Sequence, residues 1–176
     1  MPEINEREII ETLAAKDAIR EKLYMYCRSM DRTDIRLGYA VFTEDSEADY
    51  GPYYRGSGRG FVDRLAREEN SRVVTESHQL TNISIRVRGD SAGSEAYITF
   101  LIVARDEDGV IRSSSGTGRF VDEWVKRDGE WFIKKRVFCN DFIKTATLPE
   151  PPLVFGGSKT RDDPSYAALA PVQRYV

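Results

Sequence analysis

"GRFVDEWVKRDGEWFIKKR", residues 118–136, decides the fold. Two runs rich in β-branched and aromatic residues flank "RDGE", 127–130. An Asp-Gly pair between alternating runs is a strong signal for a two-residue hairpin. The alternation extends both ways, so "IRSSSGTGRFVDEWVKRDGEWFIKKRVFCNDFI" (111–143) reads as two long paired strands. Upstream, "AGSEAYITFLIVARDEDGV" (92–110) is another strand, ending in "DEDG". Before it, "HQLTNISIRVRGD" (78–90) carries Leu80, Ile83, Ile85 and Val87 into a Gly-Asp turn. Together these make a meander of long antiparallel strands.

The front of the chain is helical. Over residues 6–31, Ile9, Ile10, Leu13, Ala14, Ile19, Leu23, Tyr26, Cys27 and Met30 recur at three- and four-residue steps. That spacing gives one apolar stripe on a helix. "DRTD" (31–34) breaks the pattern, and Thr33 or Asp34 can cap a second helix through "IRLGYAVF". "EADYGPYYRG" (47–56) reads as a short strand with a tight turn at Gly51-Pro52. "GRGFVDRLAREENSR" (58–72) is a third helix with Phe61, Leu65 and Ala66 inward. Helices followed by an antiparallel meander predict an α+β fold, three helices packed on one strongly curved sheet around one pocket. Helices cover one face only. The other, beside "GRFVDEWV" with Phe120 and Trp124 at alternate positions, is expected to meet a second copy or the C-terminal tail.

Residues 1–145 read as one domain and 146–176 as an irregular tail rich in Pro, Gly and Ser. Leu153, Val154, Phe155, Tyr166 and Tyr175 are its candidate anchors. A net charge of −3 argues against a general affinity for nucleic acid. No apolar run reaches the length of a membrane span, and the acidic start lacks a signal-peptide pattern, so a cytoplasmic protein is expected. Two cysteines, Cys27 and Cys139, and one histidine offer no zinc spacing, so no metal is expected. "GTGRF" (116–120) lacks the spacing of a phosphate loop, and its glycines read as sheet curvature.

The single histidine, His78, opens the strand "HQLTNISIRV". The run from "AAKDAIREKLYMYCRSMD" through that strand to "GRFVDEWVKRDGEWFIKKR" resembles the SnoaL-like branch of the NTF2-like superfamily over residues 8–143. Within it the chain is similar to the cofactor-free lyases: scytalone dehydratase, the bile-acid 7α-dehydratases and hexachlorocyclohexane dehydrochlorinase. The resemblance implies a cone-shaped α+β fold and a catalytic pair made by an aspartate ending the first helix and a histidine opening the strand after the third. Asp31 and His78 stand at those places. Tyr26 stands where those dehydratases carry tyrosine and the dehydrochlorinase lysine, which favours loss of an oxygen leaving group. Arg136 stands where the dehydrochlorinase has a functional arginine. Scytalone dehydratase's second histidine, on a middle strand, has no counterpart in "YITFLIVAR".

Physical chemistry supports the same candidates. Imidazole titrates near neutral pH, and a carboxylate on one ring nitrogen orients it and stabilises the imidazolium. Against this, a strand-end histidine bonded to backbone and a solvated helix-end aspartate are ordinary features. Tyr26, about one and a half turns before Asp31, can reach the same end. Tyr50 and Tyr53 flank the Gly-Pro turn, where a phenol could protonate a departing hydroxyl. Arg136, Phe138 and Asn140 share one face of the last strand and could bind substrate, though a sheet-face salt bridge would also explain Arg136. The reading is a cofactor-independent lyase, with dehydration of a small hydrophobic oxygenated aromatic or polycyclic compound first. Carbon–carbon cleavage, such as deformylation of a lignin-derived diaryl compound, and a non-catalytic binding or assembly subunit are the alternatives. A homodimer or homotrimer is expected.

Overall fold

The computed structural model describes residues 5–170, without the side chains of 68–71. Helix α1 spans Glu6–Asp31, capped by Asn5, whose side chain accepts the Arg7 N–H at 3.1 Å. Thr33, at φ 49°, turns the chain. Asp34 then caps the short α2, Ile35–Tyr39. Strand β1, Phe42–Asp49, starts earlier than the pattern suggested, because Val41 and Phe42 are buried in the core and leave the second helix short. It folds back onto β2, Arg55–Gly56, through Gly51 at φ 63°. Helix α3, Gly58–Arg72, leads into four long strands: β3 (Val73–Arg88), β4 (Ser91–Arg105), β5 (Ile111–Arg127) and β6 (Glu130–Thr147).

The six strands run in the order β2-β1-β6-β5-β4-β3. All neighbours are antiparallel except β1 and β6, which are parallel. The sheet is curled but not closed, and the helices pack on its inner face, as the NTF2-like α+β class requires. Asp128 and Gly129 both take positive φ at the β5–β6 turn, the geometry that matches strand twist. A bulge in β3 decides which side chains point in. Register jumps from Thr81↔Tyr97 to Ser84↔Glu95, with Asn82 at φ 47°. The extra residue shifts the phase, so Leu80, Ile83, Ile85 and Val87 all pack on the core despite their uneven spacing.

Ile19, Leu23, Tyr26 and Met30 of α1 meet Ala96, Ile98, Phe120, Trp124 and Ile133 of the sheet in one buried cluster. Each large apolar side chain so buried contributes about 1.5–3 kcal/mol. Phe120 and Trp124 thus lie inside, and the outer face shows Tyr97, Leu101 and Val121. Along the stripe of α1, Ile9, Ile10 and Leu13 are exposed, Ala15 and Ala18 pack partly on the core, and full burial begins at Ile19. The tail is less irregular than its composition suggested. It holds a fourth helix, α4 (Pro164–Leu169), with Pro in the first turn and Asp163 as cap. Of its candidate anchors, Leu153, Val154 and Phe155 do not pack on the body of this chain, the first and last being 88% and 86% exposed. Polar groups hold it instead, because its path crosses the charged ends of α1 and α2. Tyr166 donates to Asp34 at 2.9 Å and Arg28 to Ser165 at 3.0 Å. Tyr175 lies outside the described residues.

Candidate active site

Asp31 is the last residue of α1, and β3 is the outermost strand, so the edge of β3 facing away from β4 meets the helix end. The His78 backbone N–H donates to Asp31 Oδ2 at 3.3 Å, satisfying an edge-strand donor that has no neighbouring strand. The His78 ring Nδ1 lies 2.7 Å from Asp31 Oδ1. One histidine thus grips both carboxylate oxygens. An ionised carboxylate only accepts, so Nδ1 donates to it, and in the neutral imidazole Nε2 is then the nitrogen with the lone pair. Nε2 takes no hydrogen bond from the described residues. The two side chains are 8% and 18% exposed, enough shielding to strengthen their attraction. A carboxylate at a helix C-terminus opposes the macrodipole, and these two bonds offset that cost.

Deeper in the core, the hydroxyls of Tyr26 and Tyr50 lie 2.5 Å apart. Tyr50 stacks on Phe61 at 3.8 Å and leans on Phe138 at 5.8 Å. Burial pushes Tyr26 well above the usual phenol range, with Tyr50 adding to it. Burial also raises Tyr50, while the Arg136 charge pulls it back. Both therefore keep their protons at neutral pH and can donate one to an oxygen. The Arg136 guanidinium lies over the rings of Tyr26 and Phe120, at 4.2 and 4.0 Å, with no exposure. Its Nε and Nη2 each donate to Asp122 at 2.7 Å, the bidentate geometry of an ion pair. Burial pushes the Asp122 carboxyl up, against the pull of Arg136. Among the described residues Arg136 Nη1 makes no hydrogen bond of good geometry.

The other candidates are spread wider. Phe138 and Asn140 follow Arg136 on the inner face of β6, opposite Phe120 and Gly118, and Asn140 is exposed. Tyr53 is at the surface, with the Arg64 guanidinium 4.4 Å over its ring. A cavity of about 630 Å³ lies between the end of α1, the first residues of β3 and the tail, with Asp31, Glu76, Lys159 and Asp163 in its wall. A second void, about 10 Å³ and bounded by Tyr26, Met30 and Leu65, is no larger than a water site. Among the described residues no three of His, Cys, Asp or Glu converge as a metal site would need, and no helix is long and apolar enough to cross a membrane. Asp122 and Glu76 are neighbours of the candidate site that sequence reasoning missed. Parity held the signal: Asp122 stands between Phe120 and Trp124 on their face, and Glu76 two residues before His78 on its face.

The SnoaL-like domain family matches residues 11–137. No curated protein matches the sequence. Among solved structures, a Novosphingobium aromaticivorans protein provisionally named a scytalone dehydratase is 23% identical, with a TM-score of 0.67, over 76% of this chain and 88% of that one. A type 2 hexachlorocyclohexane dehydrochlorinase (LinA) is 18% identical, with a TM-score of 0.70, over 84% and 98%. A nuclear transport factor 2 (NTF2-like) superfamily protein from Salmonella enterica is 22% identical, with a TM-score of 0.64, over 83% and 99%. At these identities the likeness is one of fold.

Proposed function

The chain belongs to the SnoaL-like domain family, and from that premise we propose that it is a cofactor-independent lyase that dehydrates a small hydrophobic oxygenated ring compound. Lyase chemistry fits the family's dehydratase- and dehydrochlorinase-like neighbours. The observation that carries the reading is the 2.7 Å contact between His78 Nδ1 and Asp31 Oδ1, which leaves Nε2 as an open base. In the proposed reaction Nε2 takes a proton from carbon. Asp31 holds the ring in its tautomer and stabilises the imidazolium as it forms. The electron pair of the broken C–H bond becomes the new double bond, and the hydroxyl on the adjacent carbon leaves. Tyr26 or Tyr50 protonates that oxygen, which departs as water, and Arg136 Nη1 holds charge as it develops. The imidazolium then gives its proton to solvent and the tyrosinate takes one back from it, which resets both groups. Phe138 would flank the substrate ring, with Asn140 and Tyr53 farther out. Residues 1–145 are the catalytic domain and 146–176 a tail, whose described part packs at the dyad end of the body.

A panel of aromatic and polycyclic alcohols, assayed for loss of water, tests this. His78→Ala and Asp31→Asn should each lower the rate by about 10²–10⁴, with circular dichroism unchanged. The double variant should fall no further than the worse single, because the pair acts as a unit. Chelator, added metal and nicotinamide should leave the rate alone. A folded His78→Ala variant at near wild-type rate would sink the mechanism and favour a binding role for this fold.

A further inference from the structure

Glu76 precedes His78 by two residues on β3, so both side chains leave the same face, with Cα atoms about 6.6 Å apart. The Glu76 side chain has no exposure, and neither of its oxygens takes a hydrogen bond from the described residues. A bare carboxylate in such a place is costly unless a cation answers it. Lys159 does so: its Nζ lies 2.7 Å from Glu76 Oε1. Charge attraction carries this contact. Burial pushes the Glu76 carboxyl above its usual range, Lys159 and His78 pull it down, and Asp31 pushes it up. The remaining charges in the cavity wall, Arg32 and Asp163, face each other at 3.5 Å. Among the described residues the charged cluster at the dyad is therefore Asp31, Glu76, His78 and Lys159.

Two carboxylates beside one imidazole would make it hold its proton to higher pH and leave less free base at neutrality. A carboxylate paired with an ammonium presents a nearly cancelled field. We infer that Lys159, brought by the tail, is a positioning residue for the dyad: it neutralises Glu76, leaves Asp31 as the one carboxylate charge that His78 feels, and so sets the pH at which the imidazole can act as a base. The consequence for turnover rests on the lyase reading; the electrostatic claim does not.

Because His78 is the only histidine, its ring resonances report the claim directly in the full chain, without substrate. Lys159→Met should shift the imidazole titration to higher pH by about half a unit or more, since Glu76 is then unopposed. Glu76→Gln should shift it to lower pH, since Lys159 is then unopposed. The double variant should return close to wild type, and Lys159→Arg should stay there. A tail that serves only as a structural strap predicts one direction for both single variants, or no shift, and no return in the double; either result overturns the inference. The pH at which turnover rises should follow the same order. If the shifts appear and no dehydration is found, the lyase reading fails alone. If turnover needs His78 but the opposite shifts are absent, the inference fails alone.

Discussion

Arg136 shows how far a single side chain depends on its setting. It is a full positive charge inside an aromatic cage, tolerable because Asp122 holds two of its nitrogens. Asp122→Ala would strand that charge. We expect a loss of about 3–5 kcal/mol, read from urea denaturation at neutral pH. Replacing both, Asp122→Leu with Arg136→Met, should cost far less, because no unpaired charge remains. The opposite result, a worse double than single, would mean the pair stabilises the core outright. At this scale the sequence was partly legible. Arg136 was marked by the family resemblance and by the strand face it shares with Phe138 and Asn140, and Asp122 shares the face of Phe120 and Trp124. Their pairing needed the β5–β6 register, which sets Asp122 opposite Arg136.

Elements were more legible than their contacts. The bounds of α1 and α3 and the β5–β6 turn agree with the periodicity and the Asp-Gly signal, because those are local properties of the chain. Gly118 illustrates a non-local demand. A Cβ there would stand 2.5 Å from the Cys139 carbonyl oxygen and 2.7 Å from the Phe138 ring. Gly118→Ala should therefore force β5 and β6 apart and cost about 1–3 kcal/mol, measurable as a lowered Tm. The tail is set by Asp163. Its carboxylate accepts N–H groups of Ser158 and Ser165, which hold it well below its ordinary value of 3.8. A carboxyl depressed in the folded state stabilises fully above its unfolded value and loses that contribution as pH falls through the folded one. Tail docking should thus hold at pH 7 and pH 4 and weaken only in stronger acid. Asp163→Ala should loosen it at every pH, seen as faster tryptic cleavage at Lys159 and Arg161 at pH 8 and faster hydrogen exchange over 158–166. Unchanged cleavage would show that Arg28, Tyr166 and Lys159 suffice.

At the scale of the whole molecule, the exposed apolar surface bears on assembly. Tyr97, Leu101 and Val121 on the outer sheet, Phe142 and Ile143 on β6, and Leu153 and Phe155 on the tail are exposed in one chain. Such patches mark interaction surfaces, and a stable interface needs about 800 Å² per partner. We expect a homodimer or homotrimer. Light scattering at micromolar concentration should give a multiple of 20.1 kDa, and Leu153→Ser with Phe155→Ser should lower it; a monomer for the unaltered chain would refute this. What the sequence determined by itself is what repeats locally: a helix ending at Asp31, strands with a hairpin at Asp128-Gly129, and through its family resemblance the α+β fold and the candidate pair Asp31 and His78. What only the tertiary structure decided is which groups meet. The His78 tautomer follows from Asp31 lying on the free edge of β3, the phase of that strand from the bulge at Asn82, and the burial of Glu76 against Lys159 from a tail crossing the end of α1. Periodicity tells a side chain which face of its own element it occupies. The curl of the sheet and the path of the tail determine what stands opposite, and those come from packing over the whole chain.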